Sequence, residues 1–155
     1  MAIFAEDKLT SFVSTNISSN EPASSVASDH ARKGWIFMEK VNFAEKLGLF
    51  KEYWSPKVVG ELNDSYVKVA KLKGEFVWHK HESEDELFLV VKGELLIKLR
   101  NKDISLKEGE FVIIPEGVEH LPVAVEEVHV VLIEPKSTVN TGNVKNEKTV
   151  AAQWI

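Results

Sequence analysis

The chain has 155 residues, 44% of them apolar, and its 24 acidic against 19 basic side chains give a formal charge of -5, a balance that repels phosphodiester backbones and anionic headgroups and so argues against nucleic acid and membrane partners. It contains no cysteine, which excludes disulfides, thiolate metal sites and thiol nucleophiles and leaves His, Asp and Glu as candidate ligands. No apolar run approaches the roughly 20 residues of a membrane span, and the opening "MAIFAEDKLTSF" lacks the basic start and apolar centre of a secretory signal, so a cytoplasmic protein is expected.

Residues 1–37, Ser-rich through "STNISSNEPASSVASDHARKG", show neither helical nor strand period and are expected to be a flexible tail, with Met38 an alternative natural start. In "VNFAEKLGLFKEYWSPKVVGEL", Asn42 followed by Glu45 resembles a capping box, and Phe43, Leu47 and Phe50 recur at helical spacing, so a short helix is expected before Pro56. Seven segments then read as strands: 66–73, 75–81, 86–91, 94–100, 103–106, 110–114 and 128–134. They are rich in Val, Ile, Leu and Phe and are separated by Gly74, Gly93, "NKD", Gly109 and "PEGVEH". In "ELLIKLR", Leu95, Ile97 and Leu99 share one face while Glu94, Lys98 and Arg100 take the other. Short strands at regular intervals without long helices predict an all-β barrel or sandwich over residues 38–136. The remainder, 137–155, is expected to be a loop closing on "VAAQWI", apolar enough to dock on its own barrel or on a neighbouring copy.

His79 and His81 lie one residue apart, so on a strand both imidazoles point to one face with Cα atoms about 6.5 Å apart. Glu86 heads the next apolar run, and in "GEFVIIPEGVEH" a Gly/Pro turn delivers His120. Three neutral imidazoles and one carboxylate suit a divalent first-row ion and leave open coordination positions.

The stretches "GEFVWHKHESEDELFLVVKG" and "GEFVIIPEGVEH" resemble the two signature motifs of the cupin superfamily, small jelly-roll β-barrels that often hold a metal. The resemblance spans roughly residues 43–136 and implies an all-β cupin jelly-roll barrel with a short N-terminal helix, with His79, His81, Glu86 and His120 as ligands of one divalent transition metal such as Zn, Fe, Mn or Ni. Two departures stand out: four residues rather than the usual five separate Gly74 from His79, and Ala124 occupies a position that is often Asn. The closer likeness is to short single-domain cupins, some of them relatives of mannose-6-phosphate isomerase.

Other polar residues have plainer readings. His30 belongs to the tail, and His129 is a strand residue rather than a fifth ligand. Glu82, Glu84 and Asp85 form a solvated acidic turn, although Glu84 or Asp85 competes with Glu86 for the ligand role. Glu119 either orients an imidazole or points outward, Trp78 faces away from His79, and Trp35, Trp54 and Trp154 cover barrel ends or a subunit contact. Three functions follow: a metal-dependent isomerase or lyase on a small oxygenated or anionic molecule, an Fe(II) dioxygenase, and a non-catalytic small-molecule or metal-binding module. A sugar phosphate would require Arg100 or one of Lys68, Lys71, Lys73 and Lys98 in the pocket. A homodimer is the expected assembly.

Overall fold

Asn42 caps the helix as its spacing to Glu45 predicts. Its Oδ1 accepts from the amides of Ala44 and Glu45, and its Nδ2 donates to Glu45 Oε1 at 3.2 Å. The structure, a computed structural model, describes residues 39–155; the expected tail over 1–37, with His30 and Trp35, lies outside them. The helix α1 covers only Phe43–Leu47. It stops at Gly48 rather than running toward Pro56, because Gly48 contributes the last helical amide and favours an end, and Phe50 is buried from the loop that follows.

Eight strands follow among the described residues: β1 (Lys57–Leu62), β2 (Ser65–Glu75), β3 (Glu86–Lys92), β4 (Leu95–Leu99), β5 (Asp103–Leu106), β6 (Phe111–Ile114), β7 (His120–Pro135) and β8 (Gln153–Trp154). The 16-residue β7 is the spine. It pairs with β2 along one edge, from Ser65↔Pro135 to Glu75↔Val123. Along the other edge its first part carries β4 and its second part β3. The sheet rolls into a jelly-roll barrel that is not fully closed.

Three segments depart from the pattern expected of the sequence. Residues 75–81 are not a full strand: the ladder to β7 shifts register between Leu72 and Gly74, where Gly74 has φ +78, and ends at Glu75, beyond which one isolated bridge remains at His79. The second half of the 120–135 strand was legible as 128–134, but its first half was hidden by Pro122, whose missing donor disfavours a central strand. Here the Pro122 carbonyl accepts from Phe76 N at 3.0 Å. β1 was masked by Gly60, which sits at a register shift.

Alternation along the strands separates two clusters. Ala70, Leu72, Phe88, Val90, Val130 and Leu132 fill the barrel, whereas Val69, Val131, Leu47, Phe50 and Val59 pack on the outer face against the helix. The C-terminal "VAAQWI" docks on its own barrel: β8 pairs parallel with Lys57 and Val58, Lys46 Nζ donates to Ile155 O, and Trp154 meets Tyr66 edge-on. No helix among the described residues is long and apolar enough to cross a membrane.

Candidate metal centre

His79 and His120 form an antiparallel backbone pair, N–H to carbonyl in both directions at 3.1 and 2.9 Å, which stitches the extended 76–81 segment to the start of β7. His81 is two residues on, on the same side, and its carbonyl accepts from Gly117 N at 2.7 Å. Glu86 opens β3 opposite Ile114. The result brings the four sequence-predicted residues together: each offers one ligand atom, and those atoms all lie within 4.8 Å of one another. All four side chains are buried.

The rings are oriented by the backbone. His79 Nδ1 lies 2.9 Å from Val77 O and His120 Nδ1 lies 3.0 Å from Val118 O. A carbonyl only accepts, so each Nδ1 carries the proton and each Nε2 presents a lone pair. Glu86 Oε2 is 3.3 Å from both His81 Nε2 and His120 Nε2, without the alignment of a hydrogen bond, and these three buried atoms have no hydrogen-bond partner. Converging polar atoms without partners are costly in an apolar interior unless something joins them. The donor set, imidazole nitrogen and carboxylate oxygen, fits a divalent first-row ion.

Electrostatics favour a neutral His79 and an ionised Glu86 but act the other way on His81. Burial and the neighbouring His120 lower the His79 pKa to about 4, which keeps it neutral and ready to coordinate. Burial alone would raise the Glu86 carboxyl, but the imidazoles of His120 and His81 outweigh it and hold the group well below the usual carboxylate range. Burial likewise opposes charge on His81, yet the carboxylates around it, Glu86 foremost, raise its pKa overall.

The other sequence candidates are placed elsewhere. Asp85 Oδ1 accepts from Glu116 N and Glu84 Oε1 from Ser137, so both secure turns rather than compete with Glu86. Glu119 points outward and forms two bonds to Arg100, whose guanidinium stacks on Trp78 at 3.8 Å. His129 lies on the outer face, bonded to Glu127. Ala124 is fully buried among apolar neighbours.

Two features escaped the sequence reading. Lys68 and Glu134, read as ordinary strand residues, form an ion pair inside the barrel at 2.5 Å; the inward series Val130, Leu132, Glu134 was the available signal. The second feature is a strap over residues 136–150. Asn143 bonds Lys80 through N to O and Oδ1 from N, both at 3.0 Å. Lys148 Nζ donates to the Glu75 and Phe76 carbonyls and lies over the Trp54 ring. Trp54 in turn stacks on Phe76 at 4.8 Å. Beneath lies a cavity of about 30 Å³, bounded by His79, Glu86 and Glu134 and by the apolar Trp54, Leu72, Phe76, Phe88 and Leu132.

The profile of the Cupin domain family matches residues 65–134. A cupin-2 domain containing protein from Shewanella frigidimarina NCIMB 400 is 48% identical, with a TM-score of 0.61 over 61% of this chain and 93% of its own. Protein NMB1881 from Neisseria meningitidis is 28% identical, with a TM-score of 0.58 over 63% of this chain and 99% of its own. The uncharacterized protein YdbB of Bacillus subtilis (strain 168) is 43% identical over 63 residues, 40% of this chain and 56% of that protein, so the match spans little more than half of the curated relative. With the rolled sheet and both histidine-bearing segments in place, the chain belongs to the cupin superfamily.

Proposed function

We propose that His79, His81, Glu86 and His120 hold one divalent transition metal, and that the protein is a metal-dependent enzyme of the isomerase or lyase type acting on a small oxygenated molecule. The observation that carries the reading is the convergence of His81 Nε2, His120 Nε2 and Glu86 Oε2, buried and without partners, beside a mostly apolar cavity. A bound ion would supply Lewis acidity toward a ligand oxygen. The chain's own residues do the rest: the Val77 and Val118 carbonyls fix two rings, Glu86 offsets positive charge, and Trp54, Phe76 and Phe88 keep water from the cavity. A sugar phosphate fits less well than a smaller substrate. Lys68 is engaged by Glu134, Lys71 by Phe50 O, Lys73 by Glu126 and Arg100 by Glu119.

Elemental analysis of protein purified without a His tag tests the reading. Stoichiometric metal is expected, lost on His79→Ala, His81→Ala or His120→Ala and reduced less by Glu86→Gln. Full metal content in His120→Ala would remove that residue from the set, and an empty site under metal-rich conditions would refute the whole. Iron together with oxygen uptake would move the assignment to a dioxygenase. A homodimer is the proposed assembly: among the described residues β6 is paired only with β3, and it exposes Phe111 and Ile113. A monomer in sedimentation would refute it.

A further inference from the structure

The four-residue site leaves one buried charged group unexplained. Lys68 and Glu134 have side chains 2% and 1% exposed, in a barrel otherwise filled by aliphatic and aromatic residues. An ion pair in such a place is no more stabilising than well-packed apolar residues of the same size, so packing alone does not account for it. Its geometry points inward. Residues 130, 132 and 134 of β7 and 86, 88 and 90 of β3 face the barrel interior, and the pairing Leu87↔Ile133 sets Glu86 next to Glu134 across the two strands. Both carboxyls line the cavity with His79.

Glu134 Oε1 is held by Lys68 Nζ, whereas Oε2 is buried and has no hydrogen-bond partner. Among the described residues, the buried side-chain atoms without partners are three from the metal set, Thr138 Oγ1, and this one. Glu134 Oε2 thus belongs to a cavity-lining residue outside the proposed ligand set. The one amide in the lining, Asn140, is spent on Trp54 O, Lys148 O and Val150 N. The remaining walls offer only apolar surface.

We propose, resting on the metal reading above, that Glu134 is a ligand-contacting residue: its Oε2, which has no partner within the protein, forms a hydrogen bond with a hydroxyl or amino group that the bound molecule carries next to the oxygen directed at the metal site. Lys68 holds the carboxylate in that position. Neighbouring side chains on paired strands stand about 5 Å apart at Cβ, so the two contacts fall on adjacent atoms of one small molecule. The class implied is a short α-hydroxy or α-amino carbonyl or carboxyl compound with an apolar remainder.

The test compares two probes that differ by one hydroxyl, glycolate and acetate, titrated calorimetrically into the metal-loaded full chain. Glu134→Leu alone strands Lys68 and risks misfolding, so the decisive variant is Lys68→Met/Glu134→Leu, which removes both charges together. The wild type is expected to prefer glycolate. The double variant should keep its metal content and its acetate affinity within about twofold, and lose about tenfold in glycolate affinity, the size of one buried hydrogen bond. A glycolate preference that the double variant retains, or failure of the metal-loaded wild type to bind either probe, overturns the role of Glu134 and leaves a structural pair whose free oxygen meets a trapped water. A wild type that takes up no metal fails at the earlier step and removes both readings.

Discussion

Replacing Gly142 by alanine should unlatch the C-terminal strap. Gly142 has φ +52, and a Cβ built on it would stand 2.2 Å from Lys80 O and 2.9 Å from Lys80 C, with His81 Nδ1 at 3.3 Å. The opposing atoms are backbone, so no rotamer change relieves the contact, and the strap has to lift. Lifting it breaks the two bonds between Asn143 and Lys80, each worth about 1 kcal/mol, and the left-handed backbone costs alanine about 1 kcal/mol more. The sum is about 3 kcal/mol. Gly109 is the matched control: its φ is +83, but nothing lies within 4 Å of an added Cβ, so Gly109→Ala should lose only about 1 kcal/mol. Urea denaturation of the metal-free proteins reads the difference of about 2 kcal/mol, equivalent to roughly 8 °C in melting temperature for a domain of this size. Because the strap braces the Lys80–His81 segment, Gly142→Ala should also bind metal more weakly than Gly109→Ala. Equal losses in the two variants would refute the idea that the strap presses on the site.

The pH dependence of the metal-free protein follows from His79. Its pKa is lowered to about 4 from an ordinary 6.5, so the unfolded chain takes up the proton first as pH falls, and the stability held above pH 6.5 is lost down to about pH 4. Relative to His79→Gln, the wild type should lose about 2–3 kcal/mol between pH 7 and pH 4 in chelator, and parallel pH profiles would refute the assignment. Asn42→Ala removes the side-chain acceptor for two helix amides, and a loss of about 1 kcal/mol by chemical denaturation is expected, with no change in metal content. Truncation after Val150 removes β8, the Tyr66–Trp154 contact and the packing of Ile155. It should cost about 2 kcal/mol, and an unchanged melting temperature would show that the docked tail contributes nothing.

Local signals carried much of the architecture. Asn42 and Glu45 announced the helix start because capping is a property of four consecutive residues. β5 and β6 lay close to where alternation and glycines located them, since turn chemistry is equally local. The elements that were missed depend on partners far away in the chain. Residues 120–124 are a strand in spite of Pro122 because β4 pairs with 120–123 along one edge, while His79, Phe76, Glu75 and Gly74 meet 120, 122, 123 and 124 along the other, and Gly60 is tolerated in β1 because the ladder shifts register there.

The candidate site divides in the same way. The spacing of His79 and His81, the position of Glu86 and the turn before His120 were readable as a possible ligand set, because residue type and strand period settle which side chains share a face. That three of their atoms converge without partners, that Glu119 turns outward to Arg100 while Asp85 ties down a turn, and that Lys68 and Glu134 meet inside the barrel were decided only by strand register. A shift of one residue between β3 and β7 would move Glu86 and Glu134 apart and send one of them to the outer face. No local stretch of sequence encodes that register; it is set by burying both apolar faces of the rolled sheet at once.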